Sequence, residues 1–82
     1  METDNLKPLS DLLPGEKGVI RKMRTKGAIR RRLMDMGFVG GATVEFEKTA
    51  PLGDPMEILV KRCHVSIRKE EARNVLIEVT PS

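Results

Sequence analysis

Period-two alternation recurs through the second half of this chain, and it is the feature that most narrows the fold. Ala42, Val44 and Phe46 alternate with Thr43, Glu45 and Glu47. Met56, Ile58 and Val60 alternate with Glu57, Leu59 and Lys61, and Val65 and Ile67 with His64, Ser66 and Arg68. Val75, Ile77 and Val79 close the series. Alternation with one charged face describes half-buried antiparallel strands. Lys17 to Arg24 adds a fifth strand with less regular alternation, Val19 and Met23 on the face of Arg21 and Ile20 on the other. Turn chemistry separates the strands: Pro14-Gly15, Gly40-Gly41, the loop Ala50-Pro51-Leu52-Gly53-Asp54-Pro55, and a tight bend within Lys61-Arg62-Cys63-His64. Strands this short and this closely spaced bury their inner faces by curling into a small barrel.

One helix interrupts the strands. Ile29, Leu33 and Met36 fall at i, i+4 and i+7 over Ala28–Met36 and predict a buried stripe, with Arg30, Arg31, Met34 and Asp35 pointing elsewhere. Gly37 stops the helix, and Phe38 and Val39 fold back over its end. Nine residues make no stable helix alone, so this one must lie on the sheet. Single helical turns are expected at Leu9–Leu13, between two prolines, and at Lys69–Arg73. A helical turn between the last two strands is the layout of an SH3-like barrel. An OB-like barrel would carry its helix between the third and fourth strands. The fold class is therefore mainly β: an SH3-like barrel of about five strands, one short helix and two single turns. Residues 1–7 are expected as a flexible tail, 8–80 as one domain, and Thr80-Pro81-Ser82 as a terminal tail.

With only Phe38 and Phe46 as aromatics, the core must be aliphatic. A lone cysteine, Cys63, excludes an internal disulfide framework and suits a reducing compartment. The polar start Met1-Glu2-Thr3-Asp4-Asn5 lacks the pattern of a secretory leader, and no apolar run exceeds three residues, as in Val75-Leu76-Ile77. A cytoplasmic protein not itself embedded in a membrane is expected.

Catalysis finds little to work with. A nucleophile needs a base beside it, and this chain offers one histidine, one cysteine and three serines. Cys63 and His64 are adjacent, so on a strand they point to opposite faces. No phosphate-binding glycine loop is present. No enzyme is expected. Structural zinc wants four Cys/His ligands, which are lacking. His64 with Glu57 is the remaining candidate for weak divalent metal binding, against the simpler reading of His64 as an exposed strand residue. No cofactor is expected. Cys63 is expected as a small buried or half-buried hydrophobe. Three of Met23, Met34, Met36 and Met56 fill the core, and Met34 lies off the buried stripe.

The net charge is only +3, but eight of the fifteen basic residues lie between Lys17 and Arg32 with no acid among them. Glu45, Glu47, Asp54 and Glu57 follow in the middle of the chain. Such asymmetry steers charged partners. Nucleic acid is one candidate, and the shortage of aromatics for base stacking argues against it.

Three segments resemble a known family. Gly27-Ala28-Ile29-Arg30-Arg31-Arg32-Leu33-Met34-Asp35-Met36-Gly37-Phe38-Val39 is similar to the helix segment of ferrous iron transport protein A, the FeoA family. Ala50-Pro51-Leu52-Gly53-Asp54-Pro55 is similar to its second signature, and Ser66-Ile67-Arg68-Lys69-Glu70-Glu71-Ala72 to its third. The likeness runs from about Leu9 to Val79. Gly40 departs from it, standing where many relatives have proline. The resemblance implies an SH3-like barrel and a small cytosolic accessory of bacterial ferrous iron uptake. It implies as partner the membrane permease FeoB, which carries a cytoplasmic GTP-binding domain. A similar barrel ends the iron-dependent repressors. With no helix-turn-helix ahead of it here, repressor activity is not expected, and the family offers no catalytic residues to carry over. The expected docking surface combines Arg30, Arg31 and Met34 of the helix with Pro51, Leu52, Gly53 and Asp54 of the loop. The alternatives are a nucleic-acid-binding module and a metal-sensing or iron-chaperone domain.

Overall fold

The computed structural model describes residues 6–80. It contains strands β1 (Leu6–Pro8), β2 (Lys17–Met23), β3 (Thr43–Thr49), β4 (Met56–Val60), β5 (Cys63–Ile67) and β6 (Val75–Thr80). Helix α1 spans Gly27–Asp35, α2 spans Lys69–Ala72, and a 3-10 turn covers Leu9–Asp11. The strands form one antiparallel sheet in the order β1-β6-β2-β3-β4-β5. This is the mainly β fold that the alternation predicts, with one strand more.

The extra strand corrects the expected tail. Leu6 and Lys7 pair with Glu78 and Ile77 of β6, and the Lys7 ammonium meets Glu16 Oε1 at 3.1 Å. Three residues are too few for an alternating pattern to register. Residues 1–5 of the expected tail lie outside the described residues. So do Pro81 and Ser82, while Thr80 belongs to β6 opposite Lys17.

The inner faces are those the alternation selects. Val44, Met56, Ile58, Val60, Val75 and Ile77 are fully buried, and Phe46 and Ala42 nearly so. Val79 is only partly covered, as are Val65 and Met23. Val19, Met23 and Arg21 do not share a clean face, because the register of β2 against β6 shifts between Ile20 and Lys22. Arg21 is the extra residue of this bulge, and its Nε donates to Glu78 Oε1 at 2.7 Å. A second register shift, between Phe46 and Lys48, makes Glu47 the extra residue of β3.

Helix α1 lies on the barrel through Leu33, which is fully buried, and Gly37 (φ 106°) ends it so that Phe38 turns inward and is also fully buried. Burying one leucine contributes about 2–3 kcal/mol. Ile29 corrects the expected stripe: it is 49% exposed, because it sits in the first turn where the helix overhangs the barrel. Met36 is partly covered and Met56 fully buried, which leaves Met34 as the exposed methionine of the helix. The Arg32 guanidinium is ion-paired with Glu71, tying α1 to α2.

Candidate docking surface

Two grooves flank α1, and helical geometry decides which residues line each. Arg30 and Met34, four apart, form the flank facing β2. With Ile20, Arg21, Lys22, Met23, Val39 and Gly40 they line a groove of about 280 Å³. Its floor is apolar and its rim basic. A contiguous hollow of about 390 Å³ runs over Gly27, Arg30, Arg31, Met34 and Asp35. Lys22, Arg24, Lys26, Arg30 and Arg31 have no ion-pair partner among the described residues. Lys22, Arg30 and Arg31 thus border a methionine that is 43% exposed, which gives this face a basic character.

Arg32 and Met36 form the other flank. They share a hollow of about 330 Å³ with Pro55, Ser66, Arg68 and Glu71. Pro55 therefore sets the end of the loop on the Arg32 side of the helix, while the two hollows beside Arg30, Arg31 and Met34 are lined, among the described residues, by none of Pro51, Leu52, Gly53 and Asp54. The expected site divides into a basic groove and a separate loop. Within the loop the residues differ in kind. Leu52 is 96% exposed at the tip. The Gly53 N–H donates to the Ala50 carbonyl at 2.7 Å, and the Ala50 N–H to the Pro55 carbonyl at 3.0 Å, which closes the turn. Asp54 turns toward α2: its Oδ1 accepts from the Lys69 N–H at 2.9 Å and its Oδ2 lies 3.8 Å from Arg68. Its carboxylate thus caps the first turn of α2 and anchors the loop. Met36, expected on the buried stripe, shares this flank with Arg32, as their i, i+4 spacing requires.

His64 is exposed, and its Nδ1 lies 2.7 Å from Glu47 Oε1. Glu57 stands opposite Ser66 instead. The bulge at Glu47 is what brings that carboxylate to His64, and no sequence pattern announces a bulge of this kind. The pairing expected between His64 and Glu57 is thereby replaced. Among the described residues no three His, Cys, Asp or Glu side chains gather as a metal site would require. Cys63 is exposed and not buried, because it flanks the Lys61-Arg62 turn at the barrel rim.

Residues 7–79 match the family model of the FeoA domain. The chain belongs to the FeoA family. It is 36% identical over 74 residues to an Fe(2+) transport protein A/Fe(2+) transporter FeoB fusion protein of Porphyromonas gingivalis, which covers 90% of this chain and 9% of that relative. The chain thus spans about a tenth of that protein's length. Among solved structures, a FeoA-like protein from Clostridium acetobutylicum superposes with a TM-score of 0.86 at 31% identity, over 95% of this chain and 91% of the other. The zinc-complexed FeoA of Stenotrophomonas maltophilia, an SH3 domain protein, gives 0.77 at 28% identity over 89% and 94%. The SH3-like barrel inferred from strand spacing and from the helical turn before the last strand is the fold of this family.

Proposed function

We propose that this protein is a cytoplasmic accessory of ferrous iron uptake that docks on the cytoplasmic part of a FeoB-type permease. The observation that carries the reading is the Porphyromonas relative, in which a similar domain is joined covalently to a FeoB transporter. Two polypeptides that are fused in one organism commonly meet as separate chains in another. The basic groove of Lys22, Arg30, Arg31 and Met34 supplies a surface of suitable type: an apolar floor that adds affinity and a charged rim that speeds encounter. Both aromatics, Phe38 and Phe46, are buried, so the same groove offers no platform for stacking bases.

The test is co-purification of the chain with the permease's cytoplasmic part, with and without guanine nucleotide. Retention is expected. Arg30→Glu with Arg31→Glu should weaken it without unfolding the domain, since both side chains are exposed. Equal retention of the double variant removes the groove as the docking surface. Absence of retention by the unaltered chain refutes the reading itself.

A further inference from the structure

The sheet has two edges, and they are not alike. β1 is three residues long, ends in Pro8 and carries Lys7, all devices that discourage further pairing. β5 has none of them. It runs for five residues, Cys63 to Ile67, with no proline, no lysine and no glutamate. It pairs with β4 through five successive partners with no register shift. Among the described residues no strand pairs with its outer side, and none of its residues makes a backbone hydrogen bond elsewhere.

Hairpin geometry identifies the groups left over. Lys61 (φ 50°) and Arg62 (φ 67°) form a two-residue turn, flanked by the pair Val60 and Cys63. In such a hairpin the flanking pair exchanges hydrogen bonds, and bonded and non-bonded pairs then alternate. Val65 and Ile67 therefore bond to β4, while the N–H and C=O of His64 and Ser66 point outward. Val65, on the inner face, stays only partly covered against the core, so the apolar interior is open at the same edge.

We infer that β5 is a receptor edge for an extended segment of a protein partner, which adds as a further strand along His64–Ser66 and covers Val65. This rests on the reading in which the partner is the permease's cytoplasmic part. Charge selects the occupant. Lys61 and Arg62 lie at one end of the edge, Arg68 and Lys69 at the other, all exposed, with Arg68 loosely engaged by Asp54. Glu47 and Glu57 lie on the outer face behind His64 and Ser66. A complementary segment has acids at its two ends and uncharged, β-forming residues between them. A second copy fits poorly. Antiparallel pairing of β5 with itself sets Arg62 of one chain against Arg68 of the other, and head-to-tail pairing would have to use β1, which its three-residue length, Pro8 and Lys7 discourage.

The experiment is hydrogen exchange on the full chain, alone and with the soluble cytoplasmic part of the permease, together with a binding titration of Ser66→Pro. Proline on an edge removes only the outward N–H. Binding of the unaltered chain should slow exchange at the His64 and Ser66 amides at least tenfold, and Ser66→Pro should weaken binding by about tenfold or more, the scale of one main-chain hydrogen bond plus a blocked approach. If the complex forms while both amides exchange as in the free chain, the inference is overturned and the docking reading stands. If no complex forms, both fall. If the two amides are already protected in the free chain in a concentration-dependent way, the occupant is a second copy and the inference fails. Should Ser66→Pro not fold, the exchange of the unaltered chain decides alone.

Discussion

Gly18→Ala is expected to be the most damaging single-methyl change in this protein. Gly18 is the second residue of β2, paired on one side with Val44 and on the other with Val79. A Cβ built there falls 2.7 Å from the Glu78 carbonyl oxygen and closer still to Cγ2 of the fully buried Ile77. Ordinary Cβ contacts begin near 3.4 Å, so the ladder must open by several tenths of an ångström. The Glu78 carbonyl is backbone and cannot swing aside, and Ile77 is enclosed by the core. Overpacking of this kind costs about 1–3 kcal/mol. A strained β2–β6 ladder adds about 1 kcal/mol. The restricted unfolded chain offsets about 0.5–1 kcal/mol. The net is a loss of about 2 kcal/mol, against a stability of about 4–12 kcal/mol for a domain of this length. At about 4–8 °C per kcal/mol, Tm should fall by about 8–16 °C. Gly40→Ala is the control. Its added methyl meets nothing within 4 Å and its backbone is not left-handed, so Tm should stay level or rise slightly. Thermal unfolding of both variants by circular dichroism checks the argument. A Gly18→Ala loss below about 4 °C, less than 1 kcal/mol on this scale, would refute it.

Leu33→Ala should cost about 2–5 kcal/mol in urea unfolding, and Ile29→Ala less than about 1 kcal/mol, because only Leu33 of the helix is buried. Equal losses would contradict the exposed placing of Ile29. Replacing Lys61-Arg62 by Asn-Gly should raise stability by about 1–2 kcal/mol, since both positions have positive φ, and a lower urea midpoint would count against the turn geometry. The Leu13 N–H and then the Lys7 ammonium hold the Glu16 carboxyl below its ordinary value of 4.5. A depressed folded-state value means stability that is present above the unfolded value and lost as pH falls through the folded one. The stability difference between the unaltered chain and Glu16→Gln should therefore be full near neutral pH and vanish in strong acid, and a constant difference would exclude the linkage.

Strand faces were legible in the sequence because the barrel has one interior and one exterior, so inward and outward positions must alternate. Val44, Phe46, Ile58, Val60 and Ile77 declare themselves by that rule alone. β1 did not, since three residues carry no period. The bulges at Arg21 and Glu47 break the alternation locally, which is why β2 looked irregular and why the carboxylate beside His64 was sought at Glu57. Ile29 has the right spacing for burial, but spacing does not reveal where the barrel ends beneath the helix. The candidate site was half visible. Charge and helical spacing place Arg30, Arg31 and Met34 on the outer side of the helix, whereas the anchoring contact of Asp54 depends on Lys69, fifteen residues away, and only the folded chain brings them together.

Leu33 is the single side chain by which α1 is buried. A flap fastened by one buried side chain and the Arg32–Glu71 ion pair lifts more readily than the wall it rests on. The α1 amides should exchange with solvent through excursions of the helix alone, while those of Val44 and Ile58 wait for the whole barrel to come apart. The basic groove, whose one wall is this helix, would then change width at little energetic expense, and a visitor larger than its resting volume would be admitted without disturbing the sheet.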